Sequence, residues 1–146
     1  MKEQFPHTLE NKNIALEARV TLYYKWLAGI PVIETFSETV RPYMITAGWT
    51  PIKFEILTTL SGEIYRTIYR DSDYYPAFAT VFCICLALNL TLWTSISIMR
   101  SAGYTLQSKN HRPYLYALDE MRCESFHDRN CLLLELGKTS LDKNYR

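Results

Sequence analysis

The stretch AFATVFCICLALNLTLWTSISIM, residues 77–99, has no charged side chain and decides the fold prediction. A helix of this length rises roughly 34 Å at about 1.5 Å per residue, and the hydrocarbon layer of a bilayer is about 30 Å thick. A buried core helix is the alternative, but core helices rarely keep so long an uncharged run. The sequence therefore predicts an all-α membrane protein with one transmembrane helix over residues 74–100.

Composition and charge exclude several functional classes. The net charge of +1 and the absence of a basic block give no electrostatic footprint of a nucleic-acid binder. The N-terminus, MKEQFPHTLENKN, has neither the apolar run of a secretory signal nor the composition of a mitochondrial presequence. Any targeting to an organelle is expected to use an uncleaved internal signal. The eleven tyrosines favour membrane interfaces and protein contacts.

The N-terminal segment, residues 1–49, is predicted to contain a helix that begins after Asn13, a residue type that caps helices well. Residues 20–45 are apolar enough to raise the question of a second span. Lys25, Glu34 and Glu38 would be costly inside a bilayer, so an interfacial, partly embedded or protein-packed helix is expected instead. The proline of Arg41-Pro42 is expected to end this element, because the residue before proline avoids helical dihedrals.

An amphipathic helix is predicted over residues 50–73. Thr50 is a good N-cap, and Pro51 suits the first helical position. Apolar residues then repeat every fourth position, which is the pattern of a helix with one apolar face, at Ile52, Ile56, Leu60, Ile64 and Ile68. We expect this stripe to lie along a membrane surface or against partner subunits.

Residues 101–146 are predicted to form an extramembrane helix and a polar tail. Residues 101–110 are interpreted as a loop. Pro113 opens a helix that Gly137 could close as its C-terminal cap.

The cysteines and one histidine raise the question of a metal site. Cys123, His127 and Cys131 form C-x3-H-x3-C along one helical face. A structural zinc site needs four ligands that converge from different directions, and three groups along one rod cannot converge alone. Cys83 and Cys85 are expected to be buried apolar thiols. No metal site is predicted.

The remaining acidic, histidine, asparagine and glycine residues are interpreted as structural rather than catalytic. The pairs Glu34/Glu38 and Asp119-Glu120 are interpreted as charged helix faces, and His7 and His111 as solvated side chains. Asn89 is interpreted as an interhelical hydrogen-bonding residue. The five glycines are scattered and form no phosphate-binding loop. We therefore predict no catalytic, cofactor-binding or metal-binding residue, no cofactor, no small-molecule substrate and no enzymatic activity.

Short motifs beyond the predicted span resemble a known family. Two stretches carry this similarity, Ala102-Gly103-Tyr104 with Leu106 and Lys109, and Tyr114-Leu115-Tyr116-Ala117. They resemble the C-terminal half of the C-two family of accessory subunits of mitochondrial respiratory complex I, in which such an exit from a membrane helix leads to a similar helix. An upstream set falls at similar spacings, namely Leu22-Tyr23, Leu27, Arg41-Pro42 and Ala47-Gly48. The resemblance implies a scaffold protein in the inner mitochondrial membrane without a redox centre.

The functional prediction follows from the predicted span and this resemblance. The chain is expected to be a non-catalytic accessory subunit of a mitochondrial inner-membrane respiratory complex, complex I first, that aids assembly and stability. Its expected partners are subunits of a large membrane complex and membrane lipids, with no nucleic acid. The alternatives are an accessory subunit of ATP synthase, of cytochrome c oxidase or of the bc1 complex, and a small single-pass adaptor of the endoplasmic reticulum or of a virus.

Overall fold

A computed structural model describes residues 7–120, which divide between Ile33 and Glu34 into two compact units. The described part of the chain is helical and contains no strand. The first unit contains a 3₁₀ helix, His7–Glu10, and α1, Leu16–Ala28. The second contains α2 Phe36–Thr46, α3 Pro51–Thr58, α4 Gly62–Arg70, α5 Phe78–Leu88, α6 Leu92–Ser101, a 3₁₀ helix Lys109–His111 and α7 Arg112–Glu120.

The predicted transmembrane helix over residues 74–100 is wrong. The apolar run forms two helices, α5 of 11 residues and α6 of 10 residues, which pack against each other. Each rises only about 15–16 Å, roughly half of what a bilayer requires. Among residues 7–120, no helix combines the length and the apolar character that crossing a bilayer requires.

The break between α5 and α6 has a local cause at Asn89. This residue adopts the left-handed conformation, with φ 54° and ψ 44°, which asparagine tolerates better than most residues. Two residues later, the Thr91 hydroxyl accepts a hydrogen bond from the Thr94 amide at 3.3 Å and caps α6. Asn89 therefore ends one helix and the chain restarts another at once, so the residue does not lie within a continuous helix.

The core of the second unit is built around α5. Seven consecutive residues of this helix, Thr80 to Leu86, are buried. Helix α5 packs against α3, α6 and α7, and α6 also packs against α2 and α7. A helix that is apolar on all sides is expected when other helices surround it. The absence of charge in the run is thus explained by burial among the chain's own helices.

The N-terminal unit differs from its prediction at the start of α1. The helix begins at Leu16 with Ala15 at the N-cap position and no side-chain capping bond, so Asn13 does not cap it. The backbone amide of Asn13 donates to Asn11 Oδ1 at 3.0 Å in the preceding turn. Arg19 on α1 is buried. Its guanidinium donates to the carbonyls of Ile14, at 3.0 Å, and Leu9, at 3.1 Å, and so anchors the preceding turn to the helix.

The segment 20–45 is interrupted between α1 and α2. Helix α2 starts with a capping box, in which Thr35 Oγ1 accepts from the Glu38 amide while Glu38 Oε1 accepts from the Thr35 amide. The expectation that Arg41-Pro42 ends the element is wrong, because Pro42 lies inside α2. Arg41 instead donates to the Ile68 carbonyl at 2.9 Å and ties α2 to the end of α4.

The helix predicted over residues 50–73 is likewise two helices. Its start is confirmed, since Thr50 caps α3 and Pro51 is the first helical residue. The helix stops at Thr59, which adopts the left-handed conformation with φ 62°. Helix α4 then begins after Ser61, whose hydroxyl accepts from the Glu63 amide at 3.1 Å.

Two glycines end helices in the same way. Gly48 after α2 and Gly103 after α6 have φ values of 71° and 89°. In each case the next amide, that of Trp49 or Tyr104, donates to a carbonyl five residues earlier, at 3.1 Å or 3.0 Å. This is the Schellman arrangement, which selects for glycine because of the positive φ. The motifs Ala47-Gly48 and Ala102-Gly103-Tyr104 are thus helix stops.

The structure describes only part of the predicted C-terminal region, residues 101–146. Residues 102–108 connect α6 to the second 3₁₀ helix, and Pro113 is the second residue of α7. Gly137 and the polar tail lie outside the described residues.

Candidate interaction surface

The cysteines inside the apolar run are placed as predicted. Cys83 and Cys85 are buried thiols on α5. Cys85 Sγ contacts the Ser95 carbonyl of α6 at 3.8 Å. Burial raises the pKa of the Cys85 thiol far above its ordinary value, because the thiolate would lose its hydration. These thiols serve as apolar packing in the core of the second unit.

The C-x3-H-x3-C motif that raised the question of a metal site, formed by Cys123, His127 and Cys131, lies outside the described residues. Within residues 7–120, no group of three or more histidine, cysteine, aspartate or glutamate side chains is arranged to hold a metal ion.

His111, interpreted as solvated, is partly buried. Its ring stacks on Phe78 with centroids 5.7 Å apart and an interplanar angle of 15°, and its Nδ1 lies 3.2 Å from Ser108 Oγ. The side chain of His7 lies outside the described part.

Phe78 is the centre of a group of aromatic rings. Tyr104 and Tyr114 meet it edge to face, with centroid distances of 5.5 Å and 5.1 Å. The Tyr104 hydroxyl donates to the Pro76 carbonyl at 2.8 Å, and partial burial raises the pKa of Tyr114. The rings fix the start of α5 against the segments after α6, and their close mutual contacts explain them as packing.

Glu34 and Glu38 do not share a helix face as predicted, because α2 begins at Phe36 and Glu34 precedes it. Glu38 caps α2, and the hydrogen bonds from the Thr35 amide and then from its hydroxyl lower the pKa of this carboxyl. Glu34 precedes the cap and is exposed. Asp119 lies half-buried on α7, and the side chain of Glu120 lies outside the described residues.

Helix α3 presents an exposed apolar face. Ile52 and Ile56 are 70 % and 71 % exposed, and they lie one turn apart on the same side of the helix. Phe54 and Thr58, on the other side, are fully buried. The face is flanked by the exposed side chains of Lys53 and Glu55. We call these four residues, Ile52, Lys53, Glu55 and Ile56, the α3 face.

Aromatic contacts hold α3 in this orientation. Phe54 packs edge to face against Trp49, at a centroid distance of 5.7 Å, and against Tyr65 of α4 at 5.8 Å. The Tyr65 hydroxyl donates to the Trp49 carbonyl at 3.0 Å. Desolvation, and then a hydrogen bond with Tyr65, raise the pKa of Tyr69 to about 12. Because Phe54 is locked inward, Ile52 and Ile56 must point away from the core.

A second contact joins the α3 face to α4. Glu55 Oε1 accepts a hydrogen bond from the Gly62 amide at 2.8 Å. A Cβ atom at Gly62 would lie 2.9 Å from that oxygen, so a side chain here would make the Glu55 carboxylate shift. The Glu55 carboxylate thereby caps the first turn of α4 as well as flanking the exposed isoleucines.

Other large apolar side chains are also exposed. In the second unit they are Tyr43 and Ile45 on α2, Leu57 on α3, Tyr75 before α5 and Tyr116 on α7. In the first unit they are Leu22, Val32 and Ile33. Sequence periodicity identified Ile52 and Ile56 as part of a stripe, but it gave no signal for Ile45 or Tyr75.

Comparison of the chain with family models, with curated proteins and with solved structures found no match.

Proposed function

We propose that this protein is a non-catalytic helical accessory protein that works by binding other protein chains. The observation that carries the proposal is the α3 face, where two neighbouring isoleucines are about 70 % exposed on a helix whose opposite side is locked into the core. Single exposed apolar residues are ordinary, but two on one turn of a well-anchored helix form a patch. Helix faces of this kind are a common mode of protein recognition.

The groups with shifted pKa values in the described residues support a structural role. Glu38 is a helix cap, Glu63 pairs with Arg70 at 3.1 Å, and Tyr69, Cys85 and Tyr114 are shifted first by burial. Active sites instead combine desolvation with a specific charged partner in a cleft. The shifts here belong to caps, surface pairs and packed rings.

The assignment to a respiratory complex is the finer part of the proposal. Complex I is supported by the short sequence resemblance, and ATP synthase, cytochrome c oxidase and the bc1 complex are the alternatives within the same class. Two of the stretches that carry the resemblance are Schellman helix stops, whose glycine is required by local geometry in any helical protein. The respiratory assignment and the mitochondrial location therefore await the identity of the partners.

Isolation of the tagged chain from its own cells tests the proposal. We expect a fixed set of companion proteins, and mass spectrometry of that set decides among the respiratory complexes. The variants Ile52→Ser and Ile45→Ser should lose companions, because each removes an exposed apolar contact. Thr46→Ser, a conservative change at an exposed position beside Ile45, is the matched control. A chain that is always recovered alone would contradict the proposal.

A further inference from the structure

The α3 face has a charge arrangement that bears on what can cover it. At 100° per residue, the midline between Ile52 and Ile56 has Lys53 about 80° to one side and Glu55 about 80° to the other. The apolar stripe is therefore bordered by a positive charge along one edge and a negative charge along the other. Both charged side chains are exposed.

This arrangement is complementary to itself in one orientation. When two such helices face each other about a two-fold axis parallel to them, the positive edge of each helix lies beside the negative edge of the other. When they run antiparallel, like edges meet and like charges repel. Lys53 and Glu55 are two residues apart, or about 3 Å along the helix axis, so the Lys53 side chain of one copy can reach the Glu55 side chain of the other.

We propose that the α3 face binds a second copy of this chain in a parallel, two-fold symmetric helix pair. Ile52 and Ile56 pack against their counterparts, and Lys53 of each copy lies beside Glu55 of the other. One helix face per copy is small compared with the roughly 800 Å² per partner of stable complexes, so the expected dimer is weak and concentration-dependent. The inference shares with the proposed function only the premise that protein covers this face.

Sedimentation equilibrium of the purified full-length chain over a wide concentration range tests the pairing. We expect a monomer–dimer equilibrium, so the average molecular mass should rise above the 17.1 kDa of the single chain as the concentration increases. Ile56→Ser should lower the association constant about tenfold or more, because it removes two buried side chains from the dimer. Ile33→Ser is the matched control, since Ile33 is 86 % exposed but lies outside α3, and it should leave the association unchanged.

Charge reversal tests the orientation. Lys53→Glu places like charges together at both edges and should weaken association about threefold or more, an effect that added salt reduces. Lys25→Glu, the same change at an exposed lysine of α1, should have no effect. A mixture of the Lys53→Glu and Glu55→Lys chains should recover association, because every pair across the interface is then of opposite sign.

The possible outcomes distinguish the parts of the proposal. A chain that stays at 17.1 kDa at every concentration overturns the pairing, while the search for companions in cells is unaffected. Equal losses in Ile56→Ser and Ile33→Ser overturn the assignment to α3. Wild-type association in Lys53→Glu overturns the parallel orientation. Because Glu55 also caps α4, circular dichroism is used to check that the Glu55→Lys chain folds. If the Glu55→Lys chain unfolds, the comparison of Lys53→Glu with Lys25→Glu decides the orientation.

Discussion

Glu55 and Gly62 are joined by a hydrogen bond of 2.8 Å from the Gly62 amide to the Glu55 carboxylate, across the turn between α3 and α4. The contact satisfies an amide at the start of α4, and a side chain at position 62 would make the Glu55 carboxylate shift. It ties α4 to a residue at the edge of the α3 face.

Gly62→Ala should stabilise the protein by less than the about 1 kcal/mol that alanine usually gains over glycine in a helix, because the new methyl group makes the Glu55 carboxylate move away from the Gly62 amide. Urea unfolding followed by circular dichroism measures the difference. The double variant Glu55→Ala/Gly62→Ala supplies the control, since the alanine at 62 should stabilise more once the carboxylate is absent. Additive effects of the two changes would argue against the contact.

Asn89→Ala should destabilise the protein by about 1 kcal/mol, whereas Asn89→Gly should be close to neutral. Alanine carries a Cβ penalty in the left-handed conformation that glycine lacks and that asparagine bears better. Thermal unfolding of the two variants beside the wild type measures the difference. A continuous helix through this position would reverse the order, because alanine is the better helix former.

Thr59→Gly should stabilise the protein by about 1 kcal/mol. Thr59 is β-branched and has φ 62°, and its buried Oγ1 has no hydrogen-bond partner among the described residues. Glycine removes both the backbone strain and the unsatisfied hydroxyl. The free energy of unfolding is compared with that of Thr46→Gly, at an exposed helical position where glycine should destabilise.

Stability should fall in acid partly through Glu38. Its pKa in the folded state lies below the ordinary 4.5, so folding favours the ionised carboxylate. The stabilisation is complete above that ordinary value and is lost as the pH falls through the folded-state pKa. Urea unfolding at a series of acidic pH values should show a shallower decline for Glu38→Gln than for the wild type. Equal slopes in the two proteins would contradict this role of Glu38.

Cys83 and Cys85 should resist alkylation in the folded protein at mildly alkaline pH. Both are buried, and the raised pKa of Cys85 keeps its thiol protonated. Mass spectrometry of the peptide between Arg70 and Arg100 measures the modification by iodoacetamide. The same peptide in denaturant should react fully, and equal rates in the two states would contradict the burial.

Much of the local structure could be predicted because it depends on near neighbours. Thr50-Pro51 indicated the start of α3, and the burial of Cys83 and Cys85 followed from the apolar run around them. The capping box of Thr35 and Glu38 also has a sequence signal, which is threonine followed three residues later by glutamate. It was missed because the same segment was interpreted from its hydropathy.

The long helix was mispredicted for a different reason. Hydropathy averages over a window, and one left-handed residue at Asn89 changes the mean very little while dividing the helix. The sequence signal was the pair Asn89 and Thr91, a C-terminal cap followed at once by an N-cap. Lack of charge shows that a segment avoids water, but it does not distinguish lipid from protein as the surroundings.

The α3 face could be predicted only in part. Periodicity placed Ile52, Ile56, Leu60 and Ile68 on one stripe, yet the first two are exposed and the last two are buried. The reason is Thr59, which turns the chain so that α3 and α4 no longer share a face. That turn depends on tertiary contacts of Phe54 and Tyr65, which no local pattern contains.

The division of the apolar run at Asn89 also bears on protein synthesis. Helix α5 is made before α6 and α7, two of the three helices that pack against it, so its apolar side chains stay without those neighbours until α7 has been made. During that interval the nascent chain exposes a short hydrophobic segment that chaperones or other chains can bind.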